Sequence, residues 1–242
     1  MVNWFWRKGA KRSWVDAPKL RPRSEDSGSA TRVDLAELAP HREQFLAQAA
    51  YLQLVAFEGL SASVATAPDL AAKERLTRAA AIALEKHHAL VAEITRTGAD
   101  AATVMQAHSA GIPFFQHATR GDTWAESLVT THITGGILDD FFVRVAGGLP
   151  DDLERRIRAI YASASHEPLL SEQLRILIEL QPTQAAHLAM WGRRLVGDTI
   201  LVARSALAAP PSSANDEARI EPVFTELIAA HTRRMDALGL TA

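Results

Sequence analysis

The stretch ALEKHHALV, residues 83–91, decides how this chain is read. It lies inside a long run rich in Ala, Leu, Glu and Arg, residues that lose little side-chain freedom in a helix. Within it, Glu85 and His88 are three residues apart. Residues i and i+3 share one helical face, so a carboxylate and an imidazole at this spacing can reach a common metal. A lone pair of this kind arises by chance in helix-rich chains, so its weight depends on what surrounds it.

Outward from this stretch, the pattern is helical almost throughout. The alternation of β-branched residues that marks strands is absent. The first long helix is expected over about 34–66, ended by Pro68, and the second over about 69–96, stopping near Gly98. A longer connection follows, with a short helix near 101–108 and a turn at Gly111-Ile112-Pro113. The third helix is expected over about 122–146 and the fourth from Asp151 or Asp152 to about Leu180, with Pro168 kinking or splitting it after His166. Two more helices are expected near 182–208 and 220–238, joined by the loop PPSSAND. Two helix pairs joined by a long crossover make an all-α, ferritin-like four-helix bundle with two additional C-terminal helices.

The chain has 242 residues, 48% of them hydrophobic and 22% charged, enough for one helical domain with a full core. Residues 1–24 carry seven Lys or Arg against the single Asp16, together with Trp4, Phe5, Trp6 and Trp14. Residues 1–31 read as a flexible basic and aromatic tail, and 32–242 as the helical domain. That tail composition suits either packing on its own domain or a partner, or docking to RNA or an acidic membrane. There is no cysteine, which excludes disulfides, thiolate metal sites and thiol nucleophiles. No apolar run reaches the roughly 18–20 residues of a membrane span, and no signal-peptide pattern opens the chain. The expected compartment is therefore the cytoplasm. The formal net charge of −2 gives no overall attraction to nucleic acid. Glycine-rich phosphate loops, nucleophile elbows and His-Glu-x-x-His zinc spacing are all absent.

Several segments carry a family resemblance: AYLQLVAFEGLS (50–61), ALEKHHALVAEI (83–94), GGILDDFF (135–142), AMWGRRLVGDT (189–199) and EPVFTELIAAHTRRMDALGL (221–240). Through them the chain resembles the actinobacterial ferritin-like proteins grouped with the tRNA methylthio-isopentenyladenosine hydroxylase (MiaE-like) family. The resemblance covers roughly residues 34–242 and implies a di-iron centre that activates dioxygen to hydroxylate a modified adenosine in tRNA. Position by position, the implied ligand set is thin. Gln53 stands where the first helix should supply a carboxylate, Glu85 and His88 match the second-helix pair, and Gly135 or Gly136 stands in place of the third-helix acid. The fourth helix keeps His166 but has Ser163 where its acid should be.

The candidate metal ligands are therefore Glu85, His88, Asp139 and His166, with iron as the expected cofactor. Asp139 enters because it lies one helical turn beyond Gly135, whereas Glu58 and Glu167 are rotated away from the expected site. The competing structural reading makes His88 and His166 core histidines, bonded to Glu85 and Ser163. Asp139 and Asp140 should include one solvent-facing or arginine-paired acid, and Arg193, Arg194, Arg233 and Arg234 read as ion-pair anchors, with Asp198 as partner of Arg194. His87, His117, His132 and His187 have no partner at diagnostic spacing and read as structural.

The leading expectation is a binding or structural module with an incomplete di-iron site. The alternative is a non-haem di-iron or single-iron hydroxylase of a modified tRNA nucleoside or small substrate. Its partner would be an unidentified protein or substrate, with tRNA implied only by the resemblance and a homo-oligomer left open.

Overall fold

The computed structural model describes residues 39–108, 110–207 and 214–241, with no account of the side chains of 214–219. The expected tail, residues 1–31, lies outside the described residues.

Pro40 sets the start of the first helix. It precedes the N-cap His41, and α1 runs Arg42–Ala65, so the helix does not begin as early as its composition allowed. Asp69 accepts a 2.7 Å hydrogen bond from the Ala72 amide and opens α2, Leu70–Thr95. Gly98, at φ +83°, follows the end of α2 in the left-handed conformation that glycine adopts without penalty.

The crossover holds two short helices, α3 (Ala101–His108) and α4 (Ile112–Ala118). Gly111-Ile112-Pro113 is therefore the beginning of a helix rather than a free turn, with Pro113 in the first turn where its missing N–H costs nothing. Thr123 and Glu126 form a capping box at the start of α5, Trp124–Val145.

The fourth bundle helix is split. α6 spans Asp151–Ser163 and α7 spans Glu167–Leu180, with Ala164 extended and Pro168 in the first turn of α7. A proline cannot donate into a continuing helix and its ring clashes with the carbonyl four residues earlier, at Ala164, so the chain breaks before it. A single 3-10 turn, Pro182–Gln184, leads into α8 (Ala185–Ser205), and α9 covers Ala214–Ala237. The expected loop PPSSAND is thus partly helical from Ala214.

α1 and α2 form the most extensive helix pair, and α5 packs on α1. Both halves of the split helix pack on α2 and α5, while α8 and α9 pack against the outer side of α5. This is the predicted bundle, with a crossover between two helix pairs and two extra helices. Its core is in two parts. One is aromatic, with Phe45 and Phe141 each edge-on to Phe142 at 5.3 Å. The other is aliphatic, built from Leu60, Leu76, Leu128, Leu170 and Leu174.

The two cores meet at one level of the bundle. On α1 the aromatic core reaches Leu52 and the aliphatic core begins at Leu60; on α2 the boundary falls between Ala83 and Leu90. Gln53, Lys86, Gly135 and His166 sit at or beside this boundary. A polar layer thus separates two apolar ones.

Candidate functional site

The phase of α2 decides what it contributes to the polar layer. Its buried apolar positions step through Leu76, Ala79, Ala80, Ala83, Leu90 and Ile94, and that stripe passes over residues 86 and 87. Lys86 and His87 are buried accordingly, whereas Glu85 and His88 are exposed. The two expected metal ligands on this helix therefore face solvent. Among the described residues no group of three His, Asp or Glu side chains converges as a metal ion requires. Glu85, His88, Asp139 and His166 do not form one site.

The structure instead brings together Lys86, Gln53, Asp139 and His166. The Lys86 ammonium donates to Asp139 Oδ2 at 2.8 Å, and the Gln53 amide donates to Asp139 Oδ1 at 2.7 Å. Each oxygen of the carboxylate thus already accepts a strong bond, one of them charge-assisted. The Lys86 nitrogen also lies 5.3 Å from the centre of the Tyr161 ring. Burial raises the Tyr161 phenol well above its ordinary pKa, the charge of Asp139 adds to this, and Gln53 opposes it. His87 does not join this layer. Its Nδ1–H donates to the Ala50 carbonyl at 2.9 Å, tying α2 to α1.

His166 lies in the α6–α7 break and is only 4% exposed. Its Nε2 is 3.4 Å from where a Cβ on Gly135 would be, an ordinary contact distance that places the ring against α5 at this glycine. Burial holds the ring below its ordinary pKa. Asp139 and Glu167 oppose that shift and Lys86 adds to it. Ser163 is exposed and donates to the Ile160 carbonyl, so the expected Ser163–His166 bond is not made.

The neighbouring Gly136, about 100° further round α5, serves a different face. A Cβ there would fall 2.5 Å from Arg234 Nε. Arg234 pairs with Asp140 at 2.9 Å and Glu167 at 3.1 Å, the inter-helix role expected for it. His132 and His231 are buried beside it, and neither His132 ring nitrogen has a hydrogen-bond partner among the described residues. Burial first, then the charges of Arg234, His166 and His231, push the His132 pKa down to about 3. His187 Nε2–H donates to the Glu126 carboxylate at 2.6 Å, and the Arg194 guanidinium lies over the Trp191 ring, 5.4 Å from its centre.

On the other side of the polar layer is a cavity of about 780 Å³ between α1 and α5, open toward α4 and the segment 119–123. Gln53, Asp139, Gly135 and His166 line it from below, with Leu52, Val55, Phe115 and Trp124 among its apolar walls. Its size is that of a small-molecule site. Glu58, expected to face elsewhere, also lines this cavity. Sequence reading missed Lys86 because a charged residue is by default assigned to the surface. The signal was the helix phase itself.

A family model described as "Ferritin-like domain, actinomycetes" matches residues 41–210 of the chain. No curated protein matches it. Among the described residues, no helix is long and apolar enough to cross a membrane.

Proposed function

The chain belongs to the actinomycete ferritin-like domain family, and from that premise we propose that it is a binding module whose charge pair stands in for a metal centre. The observation that carries this reading is the Lys86–Asp139 pair at 2.8 Å, closed by Gln53. In a metal-bound bundle, carboxylates offset the charge of buried cations. Here a single carboxylate is offset by a single ammonium, 3% exposed, at the boundary of the two cores.

The residues present do not fit a di-iron group. Both oxygens of Asp139 are engaged, an ammonium would repel an incoming metal ion, and Glu85 and His88 point to solvent. Of the candidate ligands, His166 alone combines full burial with a place on the cavity. The hydroxylase reading, with tRNA as substrate, has no ligand set to support it. The cavity above the charge pair is the place for a small organic ligand.

Anaerobic loading with Fe(II), followed by elemental analysis and an ultraviolet spectrum, tests the reading. The expected result is background iron, unchanged by Lys86→Met. Stoichiometric iron with an oxygen-sensitive near-ultraviolet band overturns it.

A further inference from the structure

The hydroxyl protons of the cavity walls are all turned toward the protein. On α5, Ser127 donates to the Thr123 carbonyl at 2.9 Å, Thr131 to Ser127 at 3.1 Å, and Thr134 to Thr130 at 2.7 Å. Thr130 donates across to the Thr119 carbonyl at 3.1 Å. On α1, Ser63 donates to Gly59 at 2.9 Å and Thr66 to Ala62 at 3.3 Å. At the mouth, Thr119 donates to Phe115 at 2.8 Å and Thr123 to the Glu126 carboxylate at 3.1 Å. Every Ser and Thr lining the cavity has therefore committed its only proton to the protein. The Trp124 indole N–H is committed too, to the Ser63 carbonyl at 2.9 Å.

A hydroxyl whose proton is engaged still has acceptor capacity on its oxygen. The wall hydroxyls thus offer acceptors and no free protons. One buried acceptor at the floor points the same way, since Gln53 Oε1 has no hydrogen-bond partner among the described residues. Charge agrees with this. Glu58, Asp122 and Asp139 line the cavity against Arg120 alone, and Lys86 balances only Asp139. A phosphate or carboxylate would meet acceptors and an excess of like charge, with Arg120 as the one arginine or lysine among the lining residues to set against it.

We infer that the cavity binds an organic cation, a molecule carrying a protonated amine on an apolar body. The inference rests on the binding reading above and names its ligand class. The ammonium donates to threonine oxygens and meets the excess carboxylate charge, while the apolar body packs on Val55, Phe115 and Trp124.

Three probes of one shape test it on the full chain by titration calorimetry: tryptamine, 3-methylindole and indole-3-acetate. Tryptamine should bind more tightly than indole-3-acetate by about tenfold or more. Thr131→Val, which keeps the shape and removes an acceptor, should weaken tryptamine while leaving 3-methylindole unchanged. Gly135→Val, which fills the floor, should abolish binding of all three. If 3-methylindole or indole-3-acetate binds as tightly as tryptamine and Gly135→Val abolishes that binding, the cation inference falls while the binding reading stands. If none of the three binds, both fall. Circular dichroism and melting of each variant separate loss of binding from loss of folding.

Discussion

Gly135 and Gly136 are neighbours in α5, yet they open onto two different polar centres. The cavity-side centre contains one ammonium and one carboxylate in direct contact, with Gln53 completing the carboxylate's bonds. The far-side centre contains Arg234, paired with Asp140 and Glu167, and beside it the buried rings of His132 and His231. One centre is organised by a charge pair and borders a cavity. The other relies on histidines that stay neutral. A step of one residue, about 100° around a helix, separates these two solutions to burying polar groups.

The largest expected effect breaks the first centre. Lys86→Met leaves the Asp139 carboxylate without its cation and should cost about 3 kcal/mol in urea unfolding, the lower end for a broken buried pair because Asp139 is partly exposed. The double variant Lys86→Met with Asp139→Leu should recover most of that loss, since a packed apolar pair avoids the desolvation penalty. If Lys86→Met behaves like a surface substitution, within about 0.5 kcal/mol, the charge pair is not what organises the layer.

The far-side centre should show itself through acid. His132 and His231 there, like His166 in the cavity-side layer, have folded pKa values depressed mainly by burial, and His132 is lowered to about 3. The unfolded chain takes up their protons below about pH 6.5 while the folded chain does not. Stability is therefore full above that pH and falls as pH drops toward 3. The slope should approach about 1.4 kcal/mol per pH unit for each ring kept neutral. His132→Phe should flatten the slope between pH 6 and 5, above the range where the carboxylates titrate. An unchanged slope removes His132 from the account.

Smaller effects separate the two glycines. Gly136→Ala places a methyl 2.5 Å from Arg234 Nε and should destabilise by about 1–3 kcal/mol unless the guanidinium shifts. Gly135→Ala meets His166 Nε2 at 3.4 Å, an ordinary contact, and gains alanine's helix propensity, so its change should be within about 1 kcal/mol. Equal melting temperatures for the two variants would remove the distinction between them.

Some breaks in the bundle were legible in the residues. Gly98 and Pro168 act through local backbone geometry, which the chain carries with it, whereas Pro40 acts in the same way but was passed over when the first helix was drawn from about 34, and the capping box at Thr123 was not read. The long crossover and the all-helical composition led to the bundle for the same reason. Gln53, Gly135 and His166 were also recognised as positions that belong at one level, although two were read there only as missing ligands.

What sequence alone did not settle was which way α2 faces. Glu85 and His88 match a metal pair in spacing, but spacing fixes only that they share a face, not that the face is inward. Packing of Leu76, Ala83, Leu90 and Ile94 chose the inward face, and it carried Lys86 and His87 with it. Only the tertiary structure could place an ammonium against Asp139, because that contact joins residues on two helices through a core neither helix defines by itself. The order of helices was written in local chemistry. The charge pair at their centre was decided by how those helices turn to bury their apolar sides.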